Sequence, residues 1–357
     1  MKVLITDISS FKAIVFCQAL AGLEDLEILT SDHRKYTQNL RTKFSHKHFI
    51  TSDPAKNPEQ FAKQLSSIVA KEHVDFLIPI NSVDIRVCLS KKEKFGKALD
   101  CFGTFETFED LDNKEKLYKL AADLGIRVPR SYAFDDNDKK FPLVLKPSVS
   151  SSSKGVSYLK NASELKKKIL EIKNPKQYVL QEYVEGEGVG YSVVSKNGQV
   201  LAGFGHKRIA EFPVSGGSST IRSNFDHPDM KPIAAKIIDA TGWSGFAMLE
   251  FKLDSRNNLV LLEINPRVWG SVNQGIQNGV NFPKILLFGQ SKAQKPKNEI
   301  ITYLSPLNYL SFLGYALKLN FSSLWFFIKN LTNVKADVSI WSDFGGYLSL
   351  ILRSFSR

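Results

Sequence analysis

Residues 245–265 constrain the fold more than any other stretch of this chain. From Gly245 to Leu253 the residues alternate, with Ala247, Leu249, Phe251 and Leu253 falling on one face and Glu250 on the other, because successive side chains of a strand point to opposite sides. Leu262-Glu263-Ile264-Asn265-Pro266-Arg267 repeats the pattern: Glu263, Asn265 and Arg267 project together, and Leu262 and Ile264 project oppositely. Asp254 to Asn258 is a short polar turn between them. Two strands so joined read as a hairpin, which brings Glu250 beside Glu263. Carboxylate and amide oxygens beside one arginine suit Mg²⁺ holding a polyphosphate, since that ion takes a few carboxylates plus substrate phosphates. Glu250, Glu263 and Asn265 are therefore the candidate metal ligands. The alternative is a surface hairpin with solvated charges, but Asn-Pro-Arg is an odd continuation for a merely structural strand.

A chain of 357 residues has room for two or three domains. With 43% hydrophobic and 24% charged residues it has globular composition and no sign of disorder. Cys17, Cys88 and Cys101 show no paired spacing, so neither a zinc site nor a disulfide framework is suggested and a reducing cytoplasm fits. Met1 to Asp7 turns polar too soon for a signal peptide. The net charge of +12 invites a nucleic-acid reading. Its lysine clusters (Lys91, Lys92, Lys94 and Lys97, then Lys166, Lys167 and Lys168) fall in helix-like stretches and read as solvated faces. No nucleic-acid module accompanies them, so attraction of anionic substrates or an anionic surface is the better use of the charge.

The first hundred or so residues alternate short apolar runs with helical segments, which argues a layered α/β unit with a parallel sheet. Strands are expected at Val3 to Thr6, Leu26 to Thr30 and Val74 to Ile80, and helices at Phe11 to Ala21 and Pro58 to Lys71. Asp7, Ser9, Asn81 and Asp84 stand at strand ends, where ligands of such sheets sit. They either touch substrate or cap the following helices. A helix after Asp112-Asn113-Lys114-Glu115 stops at Gly125 and leads into a second unit. A strand from Phe141 to Pro147, a helix from Ala162 to Ile172 and a strand from Tyr178 to Tyr183 make a small α+β unit. Beyond residue 185 the chain is strand-rich up to the hairpin, and a helical region begins near Ser271.

Lys146 ends a strand that feeds Ser148 to Gly155, a small-residue loop whose backbone amides could approach phosphates. It is not a Walker A sequence. Glu182-Tyr183-Val184-Glu185-Gly186-Glu187 sets a strand end beside a glycine-bearing turn, where backbone groups can pair with a planar base and a carboxylate can accept from ribose hydroxyls.

In this order along the chain, the segment from about Lys114 to Val280 resembles the ATP-grasp superfamily, particularly the carbamoyl phosphate synthase large-subunit-like and carboxylate-amine ligase branch. The first unit is similar to the family's preATP-grasp domain. The resemblance implies a mixed α/β and α+β architecture: a parallel-sheet preATP-grasp domain over residues 1–110, then an ATP-grasp domain over 111–290. That domain would have a lid subdomain near 130–184 and a larger catalytic subdomain near 185–290, with a helical, aromatic-rich region over 291–357. Carried over by position, Lys114 and Lys146 hold ATP phosphates, and the loop with Ser151, Ser152, Ser153, Lys154 and Gly155 closes over them. Glu182, Tyr183 and Val184 form the adenine hinge, and Glu187 takes the ribose, although the family glutamate often lies nearer Val189 and Gly190. Glu250, Glu263 and Asn265 bind Mg²⁺, or Mn²⁺ in its place, and Arg267 stands near the transferred phosphate.

The implied activity is an ADP-forming ligase that joins a small-molecule carboxylate to an amine through an acyl phosphate. Phosphorylation of bicarbonate or carbamate is an alternative, which the single module opposes, and a nucleotide-binding regulator without turnover is another. Arg208, then Lys207, are the candidates for holding the acceptor carboxylate, because His206-Lys207-Arg208 precedes Ser215-Gly216-Gly217 and arginine pairs bidentately with carboxylates. The structural alternative there is an exposed turn with surface charges. Pro306 to Leu331 carries Tyr309, Phe312, Tyr315, Phe321, Trp325, Phe326 and Phe327, interrupted from Lys318 to Ser323, too polar for the roughly 20 apolar residues of a membrane span. Two amphipathic helices there would pack on the body, mediate a homodimer or lie on a membrane surface, in that order of preference.

Overall fold

The computed structural model describes residues 1–150, 155–212, 218–289, 299–304, 313–314, 316–317, 325, 329 and 333–355. Its strands form three sheets. The first is parallel, with β1 (Lys2–Ile5) between β2 (Glu27–Asp32) and β4 (Phe76–Ile78), and β3 (Lys47–Ile50) on the outer side of β2. Helix α1 (Phe11–Leu20) buries Ala13, Ile14, Val15, Phe16, Cys17 and Leu20, an apolar surface running around the helix rather than along one stripe. Such a helix must be covered on several sides. It is: Phe16 meets Phe246 of the large sheet edge-on with ring centroids 5.2 Å apart. Helix α2 (Pro58–Glu72) carries proline in its first turn, buries Phe61, Ala62, Leu65 and Val69 at helical spacing, and ends on His73 in the left-handed region.

After α3 (Ser82–Leu89), α4 (Phe105–Asp112) and α5 (Lys114–Asp123), a small sheet has the order β5 (Ser131–Tyr132), β8 (Tyr178–Glu182), β6 (Leu143–Pro147), β7 (Ser157–Leu159), with helix α6 (Ala162–Glu171) beside it. It has its own core of Tyr132, Leu143, Leu145, Leu159, Leu165 and Leu180.

The large sheet runs β13 (Leu259–Asn265), β12 (Gly245–Leu253), β9 (Glu187–Lys196), β10 (Gln199–Phe212), β11 (Ser218–Asn224), β14 (Ile301–Tyr303), β15 (Val334–Ala336). All pairings in it are antiparallel except β14 with β15. One continuous core joins this sheet to the parallel one. Helices α7 (Met230–Thr241), α8 (Val272–Gln277) and α9 (Phe282–Phe288) pack around it, and a last helix spans Phe344–Phe355. The region expected to be helical after residue 290 thus also supplies two short strands, which extend the large sheet. Of its aromatic stretch, Trp325 is exposed, and Tyr309, Phe312, Tyr315, Phe321, Phe326 and Phe327 lie outside the described residues. No helix among the described residues is long and apolar enough to cross a membrane.

Candidate functional site

The β12–β13 hairpin forms as its alternation requires. Glu250 stands opposite Glu263 and Met248 opposite Asn265, with a register shift just after Glu250. Asp254 closes the turn by accepting at Oδ1 from the amides of Arg256 and Asn258, both at 2.9 Å. Asn265 spans the two glutamates: its Nδ2 is 3.2 Å from Glu250 Oε1 and 3.2 Å from Glu263 Oε1. Its Oδ1 accepts from Arg267 Nη2 at 2.6 Å.

Four cations meet these carboxylates from different elements. Lys114 begins helix α5, whose N-cap Asn113 accepts from the amides of Glu115 and Lys116. Its ammonium lies 3.1 Å from Glu263 Oε2 and is only 3% exposed. Lys146, on β6, donates to Tyr118 Oη at 3.0 Å and to the Leu262 carbonyl at 3.3 Å. Arg208, on β10, pairs with Glu250 and, at 3.4 Å, with Glu211. Arg267 follows the hairpin, held by its amide donating to the Asn265 carbonyl at 2.8 Å.

The charges set one another's protonation. Burial alone would raise Glu263, but Lys114 and Lys146 and the hydrogen bonds from Lys114 and Asn265 hold it down at about 2. Burial keeps Glu250 above the usual carboxylate range, with Glu263 adding to the rise and Arg208 opposing it. Burial brings Lys146 down to about 8, with Lys114 pushing the same way and Glu263 and Glu250 resisting. Among the described residues no three His, Cys, Asp or Glu side chains cluster around a metal position. Two carboxylates are the oxygen ligands on offer, a hard set that fits Mg²⁺ with substrate phosphates completing the shell; Asn265 turns Nδ2 to them and Oδ1 to Arg267, so its amide would have to turn over to add a third oxygen.

The remaining expected residues divide. Lys207 neighbours Arg208 but points away from the carboxylates, and its ammonium is 2.7 Å from Glu187 Oε2. Adjacent residues of a strand diverge in this way. Gly190 has no room for a side chain, since a Cβ there would lie 2.5 Å from Cε1 of His206. His206 is buried, shares a 2.9 Å hydrogen bond with Ser271 Oγ, and is pushed down to about 3 by burial, Arg208 and Arg222. At the end of β8, Glu182 accepts from the Arg130 amide at 3.0 Å, and the Tyr183 amide donates to the Pro142 carbonyl at 3.1 Å. The Val184 amide donates to none of the described residues. Gly155, at φ +78°, packs over Pro147. Ser151, Ser152, Ser153 and Lys154, and Ser215, Gly216 and Gly217, lie outside the described residues.

Two residues not singled out from the sequence belong to the site. Tyr118 Oη lies 2.8 Å from Gln181 Oε1 and 2.7 Å from the Leu262 carbonyl oxygen, which share its one proton, while it accepts from Lys146. Its signal was present: it lies four residues after Lys114 on α5, so both fall on one helix face. Lys12 of α1 reaches the Val268 carbonyl at 3.3 Å. Nothing local marked it, because the partner is 256 residues away.

Residues 111–271 match the ATP-grasp domain family. Over 165 residues the chain is 27% identical to a D-alanine–D-alanine ligase of Fusobacterium nucleatum, a stretch that is 43% of this chain and 55% of that one. The chain thus spans about half the length of this relative. Among solved structures, the biotin carboxylase domain dimer of Hydrogenobacter thermophilus 2-oxoglutarate carboxylase, in complex with MgADP, ADP and bicarbonate, superposes with a TM-score of 0.66 at 14% identity, covering 84% of this chain and 73% of that one. The L-amino acid ligase of Bacillus licheniformis gives 0.62 at 15% identity over 82% and 75%. N5-carboxyaminoimidazole ribonucleotide synthetase of Thermotoga maritima gives 0.61 at 15% identity over 84% and 79%. At such identities the likeness is one of fold.

Proposed function

We propose, from the premise that residues 111–271 of this chain are an ATP-grasp domain, that it is an ADP-forming ligase joining a carboxylate to an amine. The observation that supports this most is the convergence on Glu263: Lys114 from α5 at 3.1 Å and Asn265 at 3.2 Å, with Glu250 opposite on the paired strand.

In this reading Lys114 and Lys146 hold the phosphate chain of ATP, the Val184 amide and the Glu182 carbonyl face the adenine edge, and Glu187 accepts from the ribose with Lys207 fixing its carboxylate. Glu250, Glu263 and Asn265 would hold Mg²⁺, which would neutralise the negative charge that develops during phosphoryl transfer. A substrate carboxylate oxygen attacks the terminal phosphorus, and the bond to the bridging oxygen breaks, releasing ADP. The amine nitrogen then attacks the acyl carbon, phosphate leaves, and the amine proton passes to solvent. Arg267 and Arg208 face the reacting carboxylate and phosphoryl group, whose negative charge they balance. Catalysis is mainly positioning and electrostatic neutralisation, so no side-chain nucleophile is required.

The test is ADP release across a matrix of carboxylates and amines, with bicarbonate as a separate arm. ADP formation that requires both partners supports the ligase. Formation with bicarbonate alone would instead favour its phosphorylation, and nucleotide binding without release under any condition would leave a regulator.

A further inference from the structure

At the carboxyl ends of β1, β2 and β4, the edge where open α/β sheets receive ligands, two guanidinium groups from distant parts of the chain meet. Arg34, just beyond β2, places Nη1 3.4 Å from Asp7 Oδ1, 3.3 Å from Ser9 Oγ and 3.3 Å from Asp32 Oδ1. Arg353, in the last helix, places Nη1 2.5 Å from the same Asp7 oxygen and 2.8 Å from the same Ser9 hydroxyl. The second oxygen of Asp7 accepts from Asn81 Nδ2, and Asn81 Oδ1 accepts from Lys12 Nζ at 2.8 Å. Lys12 in turn reaches the carbonyl of Val268, the residue after Arg267. A row of basic side chains, Arg353, Arg34, Lys12 and Arg267, therefore runs from the parallel sheet to the end of the metal hairpin, with Lys12 pulled well below the ordinary lysine value by burial and by Arg267.

The anions along the row are divided between its ends: Asp112, Glu263 and Glu250 act on Arg267, and Asp7 and Asp32 face Arg34 and Arg353. Asp84, bonded to Thr6, is raised to about 7 by burial and by Asp7. Anchoring the last helix does not require Arg353. Asp343 accepts from Thr42 Oγ1 at 2.5 Å, from the Lys43 amide at 3.2 Å and from the Gly346 amide at 3.1 Å. Gly345 lies so close to the Arg41 carbonyl that a Cβ would strike it. Both arginines keep some exposure, 18% for Arg34 and 16% for Arg353. Nε and Nη2 of Arg34 have no hydrogen-bond partner among the described residues. A planar fork of donors left at such an edge is suited to a carboxylate or phosphoryl group.

We infer that Arg34 and Arg353 bind a second anionic group on the acid this chain activates, a carboxylate or a phosphoryl group, with the reacting carboxylate lying towards Lys12 and Arg267. The inference rests on the ligase reading and narrows its substrate class to acids that carry two anionic groups. It makes Arg353, outside the matched domain, a specificity residue.

The experiment is calorimetric titration of the full chain, saturated with Mg²⁺ and ADP, with succinate, glutarate and phosphonoacetate, and with butyrate as the single-charge control. At least one two-charge acid is expected to bind about tenfold or more tighter than butyrate, and the dicarboxylate and phosphonate arms decide which second group is preferred. Arg353→Gln and Arg34→Gln should each remove most of that advantage while leaving ADP affinity within about twofold. Two-charge acids that bind no better than butyrate, or an advantage that survives both substitutions, overturn the inference and leave the ligase reading standing. Failure of the unsubstituted chain to bind ADP defeats both. If Arg353→Gln lowers the melting temperature, Arg34→Gln, which lies outside the last helix, carries the test.

Discussion

Lys114 Nζ lies 3.1 Å from Glu263 Oε2, an ion pair that ties the first residue of a helix to the strand bearing the candidate metal ligands. The lysine is buried and the glutamate partly so, and Lys146 and Asn265 add to the same grip. A carboxylate held ionised in this way is ready to take a cation without first losing a proton.

Replacing it therefore removes function before fold. Glu263→Gln keeps the shape and a hydrogen-bond acceptor for Lys114 but deletes the charge. ADP release should fall by about a thousandfold, with a cooperative melt still present. Turnover at the parent rate would sink the assignment of Glu263 to the metal.

Lys146 offers a pH signature. Its folded value of about 8 lies below the ordinary 10.5, so between these values the unfolded chain binds more protons. This lysine's contribution to stability therefore improves as pH rises across that window. A nucleotide phosphate favours the charged ammonium, so ADP binding near pH 8 should take up a proton, measured by calorimetry in buffers of different ionisation enthalpy. Lys146→Met should bind ADP about tenfold or more weakly and lose the uptake. Unchanged affinity and unchanged uptake would remove Lys146 from the phosphate site.

How much of this was legible in the sequence depended on the range of the interactions. The β12–β13 hairpin was readable because period-two alternation and a polar turn are local. Three strands of the parallel sheet were readable because each βα step repeats a short pattern, whereas the edge strand β3 was not expected. The order β13-β12-β9-β10-β11 was not readable, since it follows from pairings among strands far apart in the chain. Lys207 and Arg208 show an intermediate case. The alternation that set Glu250 against its neighbours also separates these two, yet only the cross-strand register reveals that Arg208 takes Glu250 and Lys207 takes Glu187. The strand ends of the first sheet illustrate the limit. Asn81 does not cap α3, and Ser10 rather than Ser9 caps α1. Asn81 and Ser9 are instead drawn to Asp7, Lys12, Arg34 and Arg353 by contacts no local pattern encodes.

Arg208→Ala should expose the cost of Glu250. Burial and Glu263 already raise this carboxyl, and Arg208 is the main group opposing them. Without the arginine its folded value moves further above the unfolded one, so the penalty is absent in acid and grows as pH rises through the folded value. The variant should match the parent near pH 4 and be about 3 kcal/mol less stable at pH 8, read by denaturant titration. Mg²⁺ should restore more stability to the variant than to the parent, because a cation between Glu250 and Glu263 replaces the missing charge. A deficit independent of pH would mean that Arg208 matters only for packing.

Asp343 tests how the last helix is held. It receives Thr42 Oγ1 at 2.5 Å, the Lys43 amide at 3.2 Å and the Gly346 amide at 3.1 Å, joining a helix start to the segment after β2. Asp343→Ala leaves these buried donors without an acceptor and removes the cap, for a loss of about 1–2 kcal/mol. The loss should be local to the start of the helix, because its later turns have their own contacts: Tyr347 and Leu350 pack on the core, the Tyr36 hydroxyl donates to the Ser349 carbonyl at 3.4 Å, and Arg353 meets Asp7 and Ser9. Hydrogen exchange should accelerate in the first turn of the helix and remain slow in β1 and β2. Arg353→Gln, by contrast, should leave exchange in the helix's first turn unchanged, since Asp343 holds that end. Equal acceleration of the first turn in both variants would show that Arg353 anchors the helix after all and would remove the structural reason for assigning its charge to a ligand.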